Sequence, residues 1–178
     1  MNGRGTHRQT LRSIRMTPSP VVCPPRFVAD AMLGRLARWL RVLGFDTLYD
    51  PDLHDAALVR LADAEDRIVL TRDRHLLRER RPRHAVQITS DTPLRQLGTL
   101  VAELELQPPA ELFMRCMVCN ASLEDVPAAE STDLLPPSAR QLAGPVRRCP
   151  RCKRVYWPGS HVRRMTRALA KAVPDWFG

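Results

Sequence analysis

"RFVADAMLGRLARWLRVLGFDTLY", residues 26–49, decides the fold because it holds a strand, a helix and a second strand in 24 residues. "RFVAD" is a short apolar strand. In "MLGRLARWLRVLG", Leu33, Leu36, Ala37, Leu40 and Leu43 recur at helical spacing on one face, and Arg35, Arg38 and Arg41 fall elsewhere on the surface. Gly44 closes the helix, and "FDTLY" is the next strand. Outward from this unit the alternation continues. "DAALVRLADAED" (55–66) carries Leu58, Leu61 and Ala62 at helical spacing, and "RIVLT" (67–71) is a strand. A short helix starts at Arg74, and "HAVQIT" (84–89) is the following strand. "SDTPLRQL" opens a last helix: Ser90, Asp91 or Thr92 can cap it, Pro93 suits its first position, and Leu94, Leu97, Val101 and Leu104 form its apolar stripe. Short β-rich runs between helices imply βαβ units, and hence an α/β fold with a parallel sheet covered by helices on both faces.

In such a sheet, ligands bind outside the carboxyl ends of the strands. Acids fall at those ends here: Asp30 closes "FVAD", Asp73 follows "VLT", Asp91 follows "QIT", and Asp55 opens the helix after the second strand. Each one taken singly also reads as a helix N-cap, a reading weakest for Asp30. Together they would repel one another unless cations neutralise them, and hard divalent ions with oxygen ligands, Mg²⁺ or Mn²⁺, are the usual answer. A phosphoacceptor domain would want a lysine near its aspartate, yet residues 27–107 contain no lysine. Metal-assisted phosphodiester hydrolysis matches better.

The net charge of +9 is unevenly distributed. Residues 1–26 carry five arginines and no acid, residues 27–107 are nearly neutral, and residues 147–178 carry nine bases against one acid. Basic ends suggest a polyanionic partner, since clustered Arg and Lys bind phosphates with release of counterions. The first 25 residues lack apolar periodicity and end in a proline-rich run, so a disordered basic tail is expected there, with Cys23 as a free thiol. No run of about 18 apolar residues and no signal segment is visible, so the expected location is cytoplasmic.

Two C-x-x-C pairs, Cys116 with Cys119 and Cys149 with Cys152, are separated by 29 residues. Four thiolates at this spacing in a reducing compartment predict a closed tetrahedral Zn²⁺ site, against the alternative of two disulfides. The segment between them, "LEDVPAAESTDLLPPSARQLAG", is polar, acidic and proline-rich and is expected to be mobile or loosely packed. "SHVRRMTRALAKAV" is a basic helix with Val162, Met165, Leu169 and Ala172 on one side. Tyr156 and Trp157 read either as base-stacking platforms or as apolar cover for a small zinc module.

"FVADAMLGRLARWLRVLGFDT", "RIVLTRD", "RCMVCNASL" and "CPRCKRVYWPGSH", in this order, resemble the Mut-seven C-terminal RNase family, a PIN-like nuclease domain fused to a zinc ribbon. The resemblance implies a Rossmann-like PIN fold at residues 26–107, a zinc ribbon with a basic C-terminal helix at 108–178, and divalent-metal-dependent RNA cleavage. Asp30 and Asp73 match the family's first-strand and Thr-Arg-Asp acids, Asp55 its helical acid, and Asp91 matches most loosely. The expected catalytic set is therefore Asp30, Asp55, Asp73 and Asp91, with Asp30 and Asp73 on Mg²⁺ or Mn²⁺. The expected RNA contacts are Arg35, Arg38, Arg72, Arg147, Arg148, Arg151, Lys153, Arg154, Trp157, His161, Arg163, Arg164 and Arg167. A non-catalytic RNA- or ribosome-binding module and a DNA-directed nuclease are the competing readings.

Overall fold

The computed structural model describes residues 24–177. The expected basic tail, with Cys23, lies outside these residues except for its last two positions. The chain runs β1 (Phe27–Ala29), α1 (Gly34–Val42), β2 (Thr47–Tyr49), α2 (Asp55–Ala64), β3 (Ile68–Thr71), α3 (Arg74–Arg80), β4 (Ala85–Gln87) and α4 (Pro93–Glu103), with a 3-10 turn at Ala31–Leu33. All four strands are parallel, in the order β2-β1-β3-β4. β1 and β3 neighbour one another although a strand separates them in sequence. The order of winding therefore reverses between them, β2 lying outside β1 on one side and β4 outside β3 on the other, and sheets of this kind open a crevice at the carboxyl ends of such a pair.

Both faces of the sheet are buried. Phe27, Ala29 and Leu70 face α1 and α4, where Leu33, Leu36, Leu40, Leu97 and Leu100 complete the larger core. Val28 and Val69, one step along each strand, face the other way onto Leu58, Val59 and Ala62 of α2 and Leu76 of α3. The expected α1 face is buried throughout. Of the expected α4 stripe, Leu97 is buried and Val101 and Leu104 pack half-buried against the same core, whereas Leu94 does not join it; Gln96 and Leu100 are buried as well. Gln96 is admitted because its amide donates to the Ser90 carbonyl at 3.0 Å. Gly44 takes φ 86°, the left-handed conformation that ends α1.

Arg41 departs from the expected exposed position. It is 3% exposed, because its guanidinium donates to the carbonyls of Thr47 (2.9 Å), Met117 (3.0 Å) and Val118 (2.9 Å). The first C-x-x-C loop is thereby tied to α1. A second buried arginine, Arg67, donates to Asp46 (2.8 Å) and Glu65 (2.8 Å).

The C-terminal third forms a three-stranded antiparallel sheet, β5 (Glu124–Asp125), β6 (Arg147–Arg148) and β7 (Val155–Tyr156), with α5 (Ala128–Leu134) between β5 and β6 and α6 (Ser160–Ala172) at the end. The segment expected to be loose is instead folded. Leu135 and Ala139 are buried with Val146, and Val155 and Trp157 pack against them, because even a polar, proline-rich run holds enough apolar groups to cover a small sheet. α6 lies on α4, with Leu169 fully buried in the larger core of the parallel sheet. Among the described residues no helix is long and apolar enough to cross a membrane.

Candidate active site and cysteine cluster

Strand ends deliver the acids to one edge. Asp30 follows β1 and caps the 3-10 turn, accepting from the Ala31 N–H at 2.5 Å through Oδ1. Its other oxygen, Oδ2, accepts from the Thr71 hydroxyl at 2.7 Å. Thr71 Oγ1 in turn accepts from the Asp73 backbone N–H at 2.9 Å, and Asp73 Oδ1 accepts from the His75 N–H at 2.6 Å. Thr71, fully buried at the end of β3, thus bridges the crevice and joins the two acids. Asp73 is an N-cap, as Asp73 read singly would be, yet the cap engages only Oδ1. Capping and ligation are compatible roles for one carboxylate.

Asp91 and Asp55 are placed differently. Asp91 is 87% exposed and pairs with Arg72 at 2.8 Å. Asp55 is the first residue of α2, behind the end of β2, with His54 at the cap position. All four acids lie at the carboxyl edge, but they are not drawn into one tight cluster. Among the described residues, the cysteine quartet is the one set of three or more His, Cys, Asp or Glu residues whose ligand atoms lie within 4.8 Å of one another. Two residues escaped the sequence reading. Asp50 closes β2 as Asp30 closes β1, a repetition visible in "FDTLYD"; Thr71 gave a signal only as a hydroxyl at the last strand position, two residues before an acid.

Beside the acids lies a cleft of about 460 Å³, lined by Arg35 and Arg38 of α1, Tyr49, Arg72, Asp91 and Gln96. Three of the predicted RNA-contacting arginines, Arg35, Arg38 and Arg72, therefore meet in one place. Tyr49 forms part of the wall and donates its hydroxyl to the Ala31 carbonyl at 3.1 Å. Its ring crowds position 34, where a Cβ would come within 2.6 Å of it and force the ring to shift.

The cysteines converge as their spacing predicts. Cys116 and Cys152 place their sulfurs 3.5 Å apart and Cys119 and Cys149 3.3 Å apart, and all four thiols are free. Sulfurs on a tetrahedral zinc with bonds of about 2.3 Å would stand roughly 3.8 Å apart. The two loops are built alike. The residue after each second cysteine, Asn120 and Lys153, has φ of 68° and 62° and donates its N–H to the carbonyl of the first cysteine at 3.0 Å. Burial pushes the Cys119 thiol up; the Arg154 backbone N–H is the main influence pulling Cys152 down. Burial would also raise Cys116, but the Tyr156 hydroxyl at 3.1 Å and nearby backbone N–H groups outweigh it. The donor set fits a zinc ion, whose charge would hold all four as thiolates.

This cluster stands at the amino edge of the parallel sheet, away from the acids. Asn120 accepts from the Thr47 N–H at 3.0 Å and donates to Asp46 at 2.7 Å, and Arg115 donates to the Gly44 carbonyl at 3.0 Å. Asp46 lies below the usual carboxylate range: burial alone would raise it, but hydrogen bonds from Arg67 and Asn120 win.

Other predicted RNA contacts divide into inward and outward groups. Arg147 is corrected: it is 7% exposed, and its guanidinium is held by Asp125 at 2.9 Å and by Glu111, so it ties β6 to β5. Trp157 covers the small apolar cluster around Val146, and Arg148 is half-buried. Arg151, Lys153 and Arg154 are exposed around the second cysteine loop, and His161, Arg163, Arg164 and Arg167 are exposed on α6.

No curated protein and no solved structure matches the chain. A family profile does: the Mut7-C RNAse domain matches residues 25–169, a span that takes in the strand-end acids, the arginine-lined cleft and all four cysteines. The chain belongs to the Mut7-C RNAse domain family.

Proposed function

We propose that the protein is a divalent-metal-dependent ribonuclease with a PIN-like catalytic unit at residues 26–107 and a zinc ribbon at 108–178 whose last helix also covers the catalytic core. The observation that carries this reading is the Asp30–Thr71–Asp73 bridge across the β1/β3 crevice, in a chain of an RNase family. The Asp30 carboxylate, fastened to the Thr71 hydroxyl, and the Asp73 carboxylate, fastened to the His75 N–H, are hard oxygen donors of the kind Mg²⁺ or Mn²⁺ requires. Asp30 and Asp73 would hold the ion, with Asp55, Asp91 and Asp50 at the same edge. When bound, the ion would offset their negative charge and act as a Lewis acid on the phosphodiester.

The remaining work falls to the chain itself. The Thr71 hydroxyl donates to Asp30 Oδ2 at 2.7 Å and so holds its carboxylate in a single orientation. Arg72, released from Asp91 or shared with it, and Arg35 and Arg38 supply positive charge for the phosphates of a strand lying in the cleft. The cysteine cluster, with zinc, would contribute folding free energy at the opposite edge.

The test is cleavage of a labelled RNA oligomer in Mn²⁺ and in EDTA by wild type, Asp30→Asn and Asp73→Asn. Activity that vanishes in EDTA and in both variants, and prefers RNA to a matched DNA, is expected. Full activity in the Asp30, Asp73 double substitution would overturn the assignment. RNA binding with no cleavage in any metal would leave a binding module in its place.

A further inference from the structure

α3 and the turn after it carry Arg74, Arg78, Arg80, Arg81 and Arg83, with Glu79 the one acid in the run. All five arginines are exposed, and among the described residues none of their guanidinium groups has a carboxylate within 4.0 Å. Elsewhere in the parallel-sheet unit, Arg67 and Arg72 are paired with acids and Arg41 with carbonyls, while Arg35, Arg38, Arg60 and Arg95 are exposed and, among the described residues, without an ion pair, but are spread over three helices. The free arginines of α3 are aligned. Arg74 and Arg78 stand one turn apart on one face of α3, about 6 Å along its axis at 1.5 Å per residue, and Arg81 follows at the C-cap.

Where the line begins and ends gives it meaning. Asp73 caps α3 at the acidic edge, and Arg83 lies just before β4, at the amino edge of the sheet, where its N–H donates to Asp63 at 2.9 Å. Buried Leu76 seats the helix on α2, so the row is held rigidly. Arg81 occupies the left-handed C-cap position, φ 47°, and its Nε donates to the Arg78 carbonyl at 3.3 Å, which leaves the two terminal nitrogens of its guanidinium for a ligand. A protein partner would call for apolar anchors. Among the described residues, the large exposed hydrophobic ones are Met32, Met114, Val118, Leu142 and Phe177, and none is on α3.

We propose that this arginine row is a backbone track for single-stranded RNA, taking the phosphates of the strand that extends from the acidic edge over α3. Arginine forks suit phosphate oxygens, and contacts confined to the backbone position the strand without reading its sequence. The inference rests on the ribonuclease reading for the place where the strand starts, but its binding test does not need catalysis.

The experiment compares wild type with R78Q/R81Q/R83Q, measuring affinity for a fluorescent 20-nucleotide RNA by anisotropy in EDTA across a salt series. Three lost phosphate contacts should lower the slope of log K against log salt by about 2, at roughly 0.7 per contact for single strands. Affinity should fall about tenfold near 0.1 M salt, equally for two unrelated sequences, with the melting temperature held within about 2 °C. In Mn²⁺, the advantage of the 20-mer over a tetranucleotide in kcat/KM should shrink. Wild-type affinity and slope in the variant would overturn the track, even if cleavage is normal. Weakened binding in a protein that cleaves nothing would keep the track and remove the enzyme reading instead.

Discussion

Arg41→Met isolates the joint between the parallel sheet and the cysteine cluster. Methionine keeps most of the buried stem but removes the guanidinium that donates to Thr47, Met117 and Val118 at 2.9, 3.0 and 2.9 Å. Hydrogen bonds from a charged donor contribute about 1.5–3 kcal/mol each, and a buried acceptor left without a partner costs about 1–3 kcal/mol. Against that stands relief from burying a charge, a penalty evident in the lowered basicity of Arg41, which burial dominates. Met117 and Val118 lie near the surface and can take up water, whereas the Thr47 carbonyl belongs to a fully buried residue. A net loss of about 2–4 kcal/mol follows, since one acceptor is orphaned outright and two bonds are exchanged for water. For a chain of this size that is a fall in melting temperature of roughly 4–16 °C. The assay is thermal unfolding of zinc-loaded protein by circular dichroism, paired with the rate of zinc transfer to a coloured chelator, which should rise as the first loop loosens. Arg38→Met, on the exposed side of α1, serves as the control and should stay within about 0.5 kcal/mol. A melting temperature within about 2 °C of wild type together with an unchanged transfer rate would refute the reasoning.

Asp73→Asn should retain the fold, because asparagine caps a helix as well as aspartate does, yet should remove most Mn²⁺-dependent cleavage; Asp30→Asn should behave alike, and a variant equal to wild type in both respects would reduce Asp73 to a cap. Metal analysis should find one zinc per chain, and Cys149→Ser should lose it and unfold the C-terminal third first, as followed by limited proteolysis. Gly34→Ala should destabilise by about 1–3 kcal/mol in a denaturant titration, since the new Cβ meets the Tyr49 ring at 2.6 Å. Asp46 has a lowered folded-state pKa, so its stabilisation is fully present above the unfolded value of about 4 and is lost as pH falls through the folded value below it. Asp46→Asn should accordingly flatten the acid limb of the stability curve below about pH 4 relative to wild type; superimposable limbs would show that the Arg67 and Asn120 bonds do not bias its ionisation.

Local pattern carried most of the fold. Period-two and period-3.6 spacing, with Pro93 at a helix start and Gly44 at a helix end, placed four strands and the helices between them to within a few residues, because burying one face of each element leaves a repeating mark in the chain. Strand-end position led to Asp30 and Asp73, and cysteine spacing to the quartet, since a C-x-x-C loop closes on an ion whatever surrounds it. The tertiary structure decided what depends on partners distant in sequence. Strand order β2-β1-β3-β4 put Thr71 opposite Asp30, a bond across 41 positions that no local pattern encodes. Charge shows the same division most clearly. Residues 27–107 sum to near neutrality, and the count cannot tell an arginine held inside by carbonyls, such as Arg41, from one left free, such as Arg78. Folding consumes Arg41, Arg67 and Arg147 in internal hydrogen bonds and leaves the α3 arginines aligned at the surface, because an ionised group can be buried only where acceptors converge on it, and that convergence is set by packing.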